Sequence, residues 1–232
     1  MTVDDAGALL RLLQLTDSGF PTGAFSFSHG LEGLVATGRV RNERDIAEFI
    51  GTHVREGFAG IECPAMSHAW RAARRDDLPA LVEIDGLVDA LKPIPVYRNG
   101  SIKTGRRLLE SSAQIVTGKT IERLRECVRS GEASGHHPVA FGVVMAATGL
   151  DQEVASVALG AGFVGGLAAA AVRLGVIGQN AAQRLVAEMH DAVAIAAVRG
   201  RARALDDMGA YLPMVDIAGL RQPGLSGRVF AS

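Results

Sequence analysis

Apolar residues recur at helical spacing along most of this chain. After Asn42, whose side chain suits a helix N-cap, the apolar positions follow the spacing i, i+3, i+4, i+8 and i+12. The residues at these positions are Ile46, Phe49, Ile50, Val54 and Phe58. A similar stripe between Leu185 and Ala197 has charged residues on its other faces and predicts a second long helix. Shorter helices are predicted at residues 6–15, 29–37, 63–74, 78–91, 101–116, 121–129 and 138–148.

The same pattern predicts an all-α fold. No stretch alternates apolar and polar residues between hairpin turn pairs, and prolines and glycines separate the helical segments. Because no internal repeat or low-complexity linker divides the chain, we expect one compact domain of about eight to ten helices over residues 1–205. Beyond that point the pattern weakens, which predicts an irregular C-terminal tail over residues 206–232. Such a tail is either a frayed end or a docking segment, and the pattern leaves both open.

One uncharged stretch, residues 154–172, is long enough to cross a bilayer. It is bounded by Glu153 and Arg173, it consists mostly of glycine, alanine and serine, and no basic cluster or aromatic belt flanks it. These features favour a buried core helix whose small residues let a neighbouring helix approach closely, within the chain or across a subunit contact. No membrane association is therefore expected.

The composition argues against nucleic-acid binding, a disulfide framework, a structural zinc site and secretion. The 232 residues include 24 Lys and Arg against 25 Asp and Glu, so no basic excess is present to bind a nucleic-acid backbone. Cys63 and Cys127 belong to no C-x-x-C or Cys/His motif, which argues against a disulfide framework or a structural zinc site. Asp4 and Asp5 stand where a secretory signal would be basic, so a cytoplasmic protein is expected.

Two segments come close to catalytic motifs without meeting their requirements. Residues 113–120 (AQIVTGKT) nearly match a phosphate-binding loop, but Ala113 replaces its first glycine and the preceding segment is helix-like rather than a strand. Ser26 and Ser28 lack the G-x-S-x-G spacing and the sheet of a nucleophile elbow. A helix-capping role is the favoured interpretation of Ser28.

His136 and His137 form the only histidine pair and directly precede Pro138. Imidazole binds nickel, copper and zinc well, but adjacent side chains seldom chelate one ion, and no cluster of other metal ligands accompanies the pair. A polar role at a helix start is favoured, and no cofactor is expected. Metal contact through the two histidines stays open as the alternative.

Four ordered segments carry a resemblance to a known family. They read LLQLTDSGFPTGAFSFSHGLE at residues 12–32, HPVAFG at 137–142, RL at 173–174 leading into IGQNAAQ at 177–183, and PMVDIAGLR at 213–221 with RVFAS at 228–232. Each resembles a signature of the urease accessory protein UreF family. The segments keep the family's order and spacing over nearly the whole chain, so coincidence does not account for them.

The resemblance implies an all-helical protein that forms a dimer and catalyses nothing itself. It implies binding to the accessory protein UreD, called UreH in some organisms, and recruitment of the nickel-carrying GTPase UreG to apo-urease. Our hypothesis places the partner-contacting surfaces in the N-terminal loop and the C-terminal segment. The candidate residues are Phe25, Ser26, Phe27, Ser28, His29, Arg221, Arg228 and Phe230.

Two other function classes make different predictions. A nucleotide hydrolase acting through Lys119 and Thr120 would turn over GTP or ATP as the isolated protein. A nickel-binding metallochaperone acting through His136 and His137 would bind the ion stoichiometrically in calorimetry. A scaffold predicts neither result.

Overall fold

The helices predicted from the periodicity are present, together with others. The computed structural model describes residues 3–224 and 229–230, and within these ranges it is built from helices and turns without a β-strand. In chain order the α-helices are α1 (Val3–Thr16), α2 (Leu31–Ala36), α3 (Glu43–Thr52), α4 (Cys63–Arg74), α5 (Leu78–Leu91), α6 (Pro95–Ser112), α7 (Lys119–Ser130), α8 (His137–Ala147), α9 (Gln152–Arg173), α10 (Gln179–Glu188), α11 (His190–Ala202) and α12 (Pro213–Arg221). The all-α prediction is confirmed.

A π-helix, His53–Glu62, joins α3 to α4, so that residues 43–74 form one continuous helical rod. The rod starts where the sequence predicted, because the side chain of Asn42 accepts a hydrogen bond of 3.1 Å from the backbone N–H of Asp45. The predicted apolar stripe faces the core. Its members with at most 1% of their surface exposed are Ile46, Ile50, Val54 and Phe58.

The last part of this rod, α4, packs against α8 at the centre of the molecule. A Cβ at Gly142 of α8 would lie only 2.4 Å from the carbonyl oxygen of Met66 in α4, so a glycine is required for the two backbones to approach this closely. Met66 and Met145 are completely buried beside this contact. Dense apolar packing of this kind supplies most of the stability of a small domain.

The uncharged stretch forms α9, which packs against α10 and α11. In the described part of the chain it is the one helix long and apolar enough to cross a membrane, and half of its most apolar window is buried inside the protein. Leu159, Val164 and Leu167 are among its buried residues. One side of α9 is thus a core face, as the sequence predicted, and the other side is exposed.

Three segments differ from the prediction. The second long helix predicted at residues 185–197 is divided at Met189 between α10 and α11. The helix predicted at residues 29–37 begins later, at Leu31, because His29 and Gly30 have φ angles of 50° and 89°, in the left-handed region. The tail predicted to be irregular contains α12, whose Val215 and Ala218 are buried. This helix contacts α2 and α6. Short helices are stabilised by such tertiary packing more than by the intrinsic helix propensity of their residues.

Candidate functional site

The C-terminal segment folds back onto the N-terminal part of the chain. The hydroxyl of Tyr97 in α6 donates a hydrogen bond of 2.7 Å to the carbonyl oxygen of Val215 in α12. A Cβ at Gly33 of α2 would lie 3.2 Å from the Cβ of Ala218, so α2 and α12 pack with their backbones close together. Two segments from opposite ends of the sequence therefore form one surface.

Glu32, in the first turn of α2, anchors the end of the chain. Its carboxylate accepts a hydrogen bond of 2.6 Å from the backbone N–H of Val229 and one of 3.3 Å from the side-chain amide of Gln222. Glu32 is 6% exposed, and a buried carboxylate needs such donors to offset its desolvation. We refer to Glu32, Gln222 and Val229 as the tail clasp.

Arg173, the last residue of α9, links the N-terminal loop to the end of the chain. Its guanidinium carbon lies 4.1 Å from the ring centroid of Phe230 and 5.9 Å from that of Phe25, and the guanidinium donates to the backbone carbonyl of Phe25. A guanidinium over an aromatic face is stabilised by about 0.5–2 kcal/mol. Burial lowers the pKa of Arg173, but arginine titrates so high that the group stays charged.

The predicted residues of the N-terminal loop lie at different depths. Phe25 is 65% exposed and Ser26 is partly exposed, so both are accessible to a partner. Phe27 and Ser28 are buried, and the ring of Phe27 packs against Gly100 of α6. These two residues support the loop from behind rather than forming its surface.

His29 is half-buried, and its ring makes an edge-to-face contact with Phe163, with 5.4 Å between the ring centroids. Desolvation by burial, assisted by the nearby His53, lowers the pKa of His29 to about 3. The imidazole is therefore neutral at pH 7. Its contacts place it in the interior behind the loop.

The predicted residues at the C-terminal end are also separated. Arg221 is exposed at the end of α12, whereas Phe230 is 3% exposed beneath the guanidinium of Arg173. Arg228 lies outside the described residues. The structure thus unites Phe25 and Phe230 through Arg173, a residue that the sequence analysis used only as part of a motif.

One exposed apolar surface escaped the sequence analysis. Met214, Ile217 and Leu220 are 44%, 43% and 64% exposed, and their i, i+3, i+6 spacing places them on one side of α12, away from its buried side. We refer to these three residues as the α12 face. The spacing was readable in the sequence, but over the nine residues of α12 it was too short to distinguish from chance.

His136 holds the start of α8 with its side chain and its backbone. The ring nitrogens lie 3.1 Å from the Asp89 carboxylate and 3.1 Å from the Ser101 hydroxyl, and the backbone N–H donates to the buried Asp85 over 2.7 Å. This is the helix-start role that the sequence favoured. Among the residues that the structure describes, no group of three or more His, Cys, Asp or Glu could hold a metal ion.

The segment similar to a phosphate-binding loop is hydrogen-bonded to Asp76, in the turn between α4 and α5. Lys119 and Thr120 begin α7, and their side chains donate to the carboxylate of Asp76 at 3.0 and 3.1 Å. The polar ends of both side chains therefore tie α7 to the turn between α4 and α5.

The described residues thus define an all-helical protein that leaves an apolar face exposed on a folded-back terminal helix. The particular family follows from comparison with known sequences. The chain belongs to the UreF family of urease accessory proteins, whose family model matches residues 40–190.

Named relatives cover nearly the whole chain. The urease accessory protein UreF of Trichodesmium erythraeum (strain IMS101) is 31% identical over 232 residues, with all of both chains covered. UreF of Paenarthrobacter aurescens (strain TC1) is 35% identical over 223 residues, covering 96% of this chain and 97% of the relative. UreF of Granulibacter bethesdensis is 32% identical over 225 residues, covering 97% and 94%.

Proposed function

We propose that this protein is a non-catalytic scaffold for the maturation of urease. In this role it binds UreD (UreH) and recruits the nickel-carrying GTPase UreG to apo-urease in the cytoplasm, so that nickel is inserted within a complex. Such a complex has a physical advantage, because zinc and copper compete with nickel for free imidazole and thiolate sites. Membership of the UreF family supports the general role in urease maturation.

The α12 face is the observation that carries the docking part of this proposal. Apolar residues at helical spacing on an exposed helix suit a hydrophobic groove in a partner protein. Tyr211, which precedes α12, is a further large side chain that is 79% exposed. Residues 206–232 would accordingly act as the docking segment, with the preceding residues 1–205 as its support.

The way in which α12 is held favours binding. The tail clasp and the bond from Tyr97 hold the helix in place before a partner arrives. An interface that is ordered in advance loses less conformational entropy on association. Phe25 and Arg221 are further exposed candidates, and arginines and aromatic residues contribute strongly to interfaces.

A homodimer is part of the same proposal, and the exposed side of α9 supports it. Gly162 and Gly166 lie on that side, and a Cβ added at either would meet nothing within 4 Å. Small residues allow a second copy of the chain to approach closely. Sedimentation equilibrium of the purified protein measures this association.

The alternative of a metallochaperone gains no support from the histidine pair. Both ring nitrogens of His136 have hydrogen-bond partners in Asp89 and Ser101, so binding a metal there would require breaking one of those bonds. Burial lowers the pKa of His137 to about 4 and keeps that ring neutral, but His137 alone does not make a chelating site.

Replacing one exposed isoleucine with aspartate tests the docking proposal. Ile217→Asp places a charge in the α12 face, and we expect it to reduce UreD capture by at least about tenfold, since a desolvated charge in an apolar interface is costly. The matched control is Ile195→Asp in α11, which introduces the same change at a residue that is 54% exposed. Co-purification with UreD and nickel-dependent urease activation are the readouts.

Undiminished capture by Ile217→Asp would exclude the α12 face from the interface. Equal losses in Ile217→Asp and Ile195→Asp would show that the effect lies in general folding rather than in docking. The contribution of the chain end is tested separately by Arg228→Ala, for which we expect reduced capture of the GTPase.

A further inference from the structure

A cavity separate from the α12 face lies under the C-terminal segment. Its walls come from the π-helix, the turn between α5 and α6, Phe163 of α9 and the residues that lead into α12. A cavity of about 150 Å³ in another protein binds benzene, so this cavity of about 170 Å³ has room for a molecule of about six non-hydrogen atoms. The partner-docking role does not use it.

The π-helix provides one wall of the cavity. His53, Gly57 and Ile61 line the cavity at intervals of four residues, which keeps them on one side of a helix of π pitch. Turns of π-helix are rare and concentrate at functional sites. The backbone N–H of Gly209 donates to the carbonyl of Gly60 over 3.0 Å, so the segment covering the cavity is fixed to this wall.

Polar groups with unused hydrogen-bonding capacity line the same space. Lys92 pairs with Glu62, and both side chains are mostly buried, yet the ammonium has further N–H groups to donate. Tyr97 donates its proton to Val215, which leaves its oxygen able to accept. Asp216 adds a half-buried carboxylate, which is an acceptor.

One ring nitrogen of His53, which lines the cavity together with His29, is also unpaired among the residues that the structure describes. In the described part of the chain the buried Nε2 of His53 has no hydrogen-bond partner, whereas its Nδ1 lies 3.0 Å from the carbonyl oxygen of Phe49. Buried polar atoms without a partner are uncommon in native proteins and mark places where something else completes the bonding. Burial lowers the pKa values of His29 and His53 to about 3 and about 4, so both rings are neutral at pH 7.

The lining has charged groups of both signs, so an ion of either sign would meet a like charge there. The carboxylates of Asp216 and Glu62 disfavour an anion, and the ammonium of Lys92 disfavours a cation. A metal is also disfavoured, since the described residues contain no group of three or more side chains that could hold one. Donors and acceptors placed together suit a neutral molecule that has both a carbonyl oxygen and N–H groups.

We propose that this cavity is a binding site for a small neutral amide, the chemical class that includes acetamide and urea. The carbonyl oxygen accepts from Lys92, and the amide N–H groups donate to Asp216 and Tyr97. This site is independent of the proposed scaffold function, because its ligand contacts the cavity lining and not the α12 face.

The test follows the imidazole C–H signals of the histidines by NMR while millimolar acetamide is added to the full-length protein. We expect saturable shifts of the His29 and His53 signals with acetamide and with urea, and none with acetate, which has the same shape as acetamide but a negative charge. Gly57→Leu fills the cavity, and a Cβ at that position meets only Leu212 Cδ1, at 3.4 Å. We expect this variant to weaken acetamide binding by about tenfold or more.

Gly86→Leu is the matched control, because Gly86 is exposed on α5 and a Cβ there meets nothing within 4 Å. If Gly57→Leu does not fold, Asp216→Ala replaces it, with the same expected loss of about tenfold from removing an acceptor. Shifts that grow linearly without saturation would overturn the proposal. So would shifts of equal size with acetate, or unchanged acetamide binding in the folded cavity variant.

Discussion

The contact between α4 and α8 and the contact between α2 and α12 are held together in different ways. In the first, Gly142 lets two backbones touch, and completely buried side chains such as Met66 fill the space around them. In the second, a close approach of Gly33 to Ala218 is combined with the hydrogen bonds of the tail clasp, and apolar side chains remain exposed beside it.

This difference separates a region that is buried on all sides from a region that leaves apolar side chains exposed. Burial of apolar surface stabilises the α4 and α8 contact whether or not a partner is present. The α12 region is fixed by the hydrogen bonds of the tail clasp, and it leaves its apolar α12 face unburied. A monomer gains nothing from exposing apolar side chains, so a region of this kind is typical of a binding surface.

Equivalent substitutions in the two regions give the largest expected contrast. Met66→Ala removes a completely buried side chain and is expected to lower the free energy of unfolding by about 3 kcal/mol, because a cavity remains. Met214→Ala, at a residue that is 44% exposed, is expected to change it by less than about 0.5 kcal/mol. Urea denaturation measures both. Similar losses in the two variants would contradict the division into a buried centre and an exposed face.

The pH dependence of stability sharpens the comparison, because buried neutral histidines belong to the interior. Burial lowers the pKa of His53 to about 4, whereas the pKa of a histidine in an unfolded chain is about 6.5. Between these pH values the unfolded chain binds more protons than the folded protein does. The free energy of unfolding therefore decreases as the pH falls from about 6.5 to 4. The limiting slope is about 1.4 kcal/mol per pH unit for each such histidine.

His53→Phe keeps an aromatic ring beside Phe49 and removes one titrating group. We expect a shallower fall in the free energy of unfolding between pH 6.5 and 4, measured by guanidinium chloride denaturation at several pH values. The control, His190→Phe, changes an exposed residue. An unchanged slope in His53→Phe would show that His53 does not contribute to the acid sensitivity.

The smallest expected effect concerns the tail clasp. Glu32→Gln keeps the shape of the side chain but removes its charge, which is expected to weaken the bonds to Val229 and Gln222 by about 1 kcal/mol. Hydrogen exchange of the Val229 amide should then become several-fold faster, with little change in global stability. Glu188→Gln, at an exposed glutamate of α10, is the control. Equal exchange rates would mean that Glu32 does not hold the chain end.

Much of the fold was predictable from local patterns. Asn42 and the stripe that follows it predicted α3 and its buried side, because an N-cap and a 3.6-residue period are written in neighbouring residues. The prediction of an irregular tail missed α12, because this short helix depends on contacts with α2 and α6 that are distant in the sequence. The candidate residue Phe25 was found on the surface, but the residue that joins it to Phe230, Arg173, was identified only by the structure.

The sequence by itself determined the helical class, the main helices and the family, because hydrophobic period, capping and ordered motifs are properties of short segments. Only the tertiary structure decided how the two ends of the chain meet. The clasp joins Glu32 to Gln222 across 190 positions, and the cavity joins walls from equally distant segments. Contacts over such separations depend on how the helices pack, which no local pattern specifies.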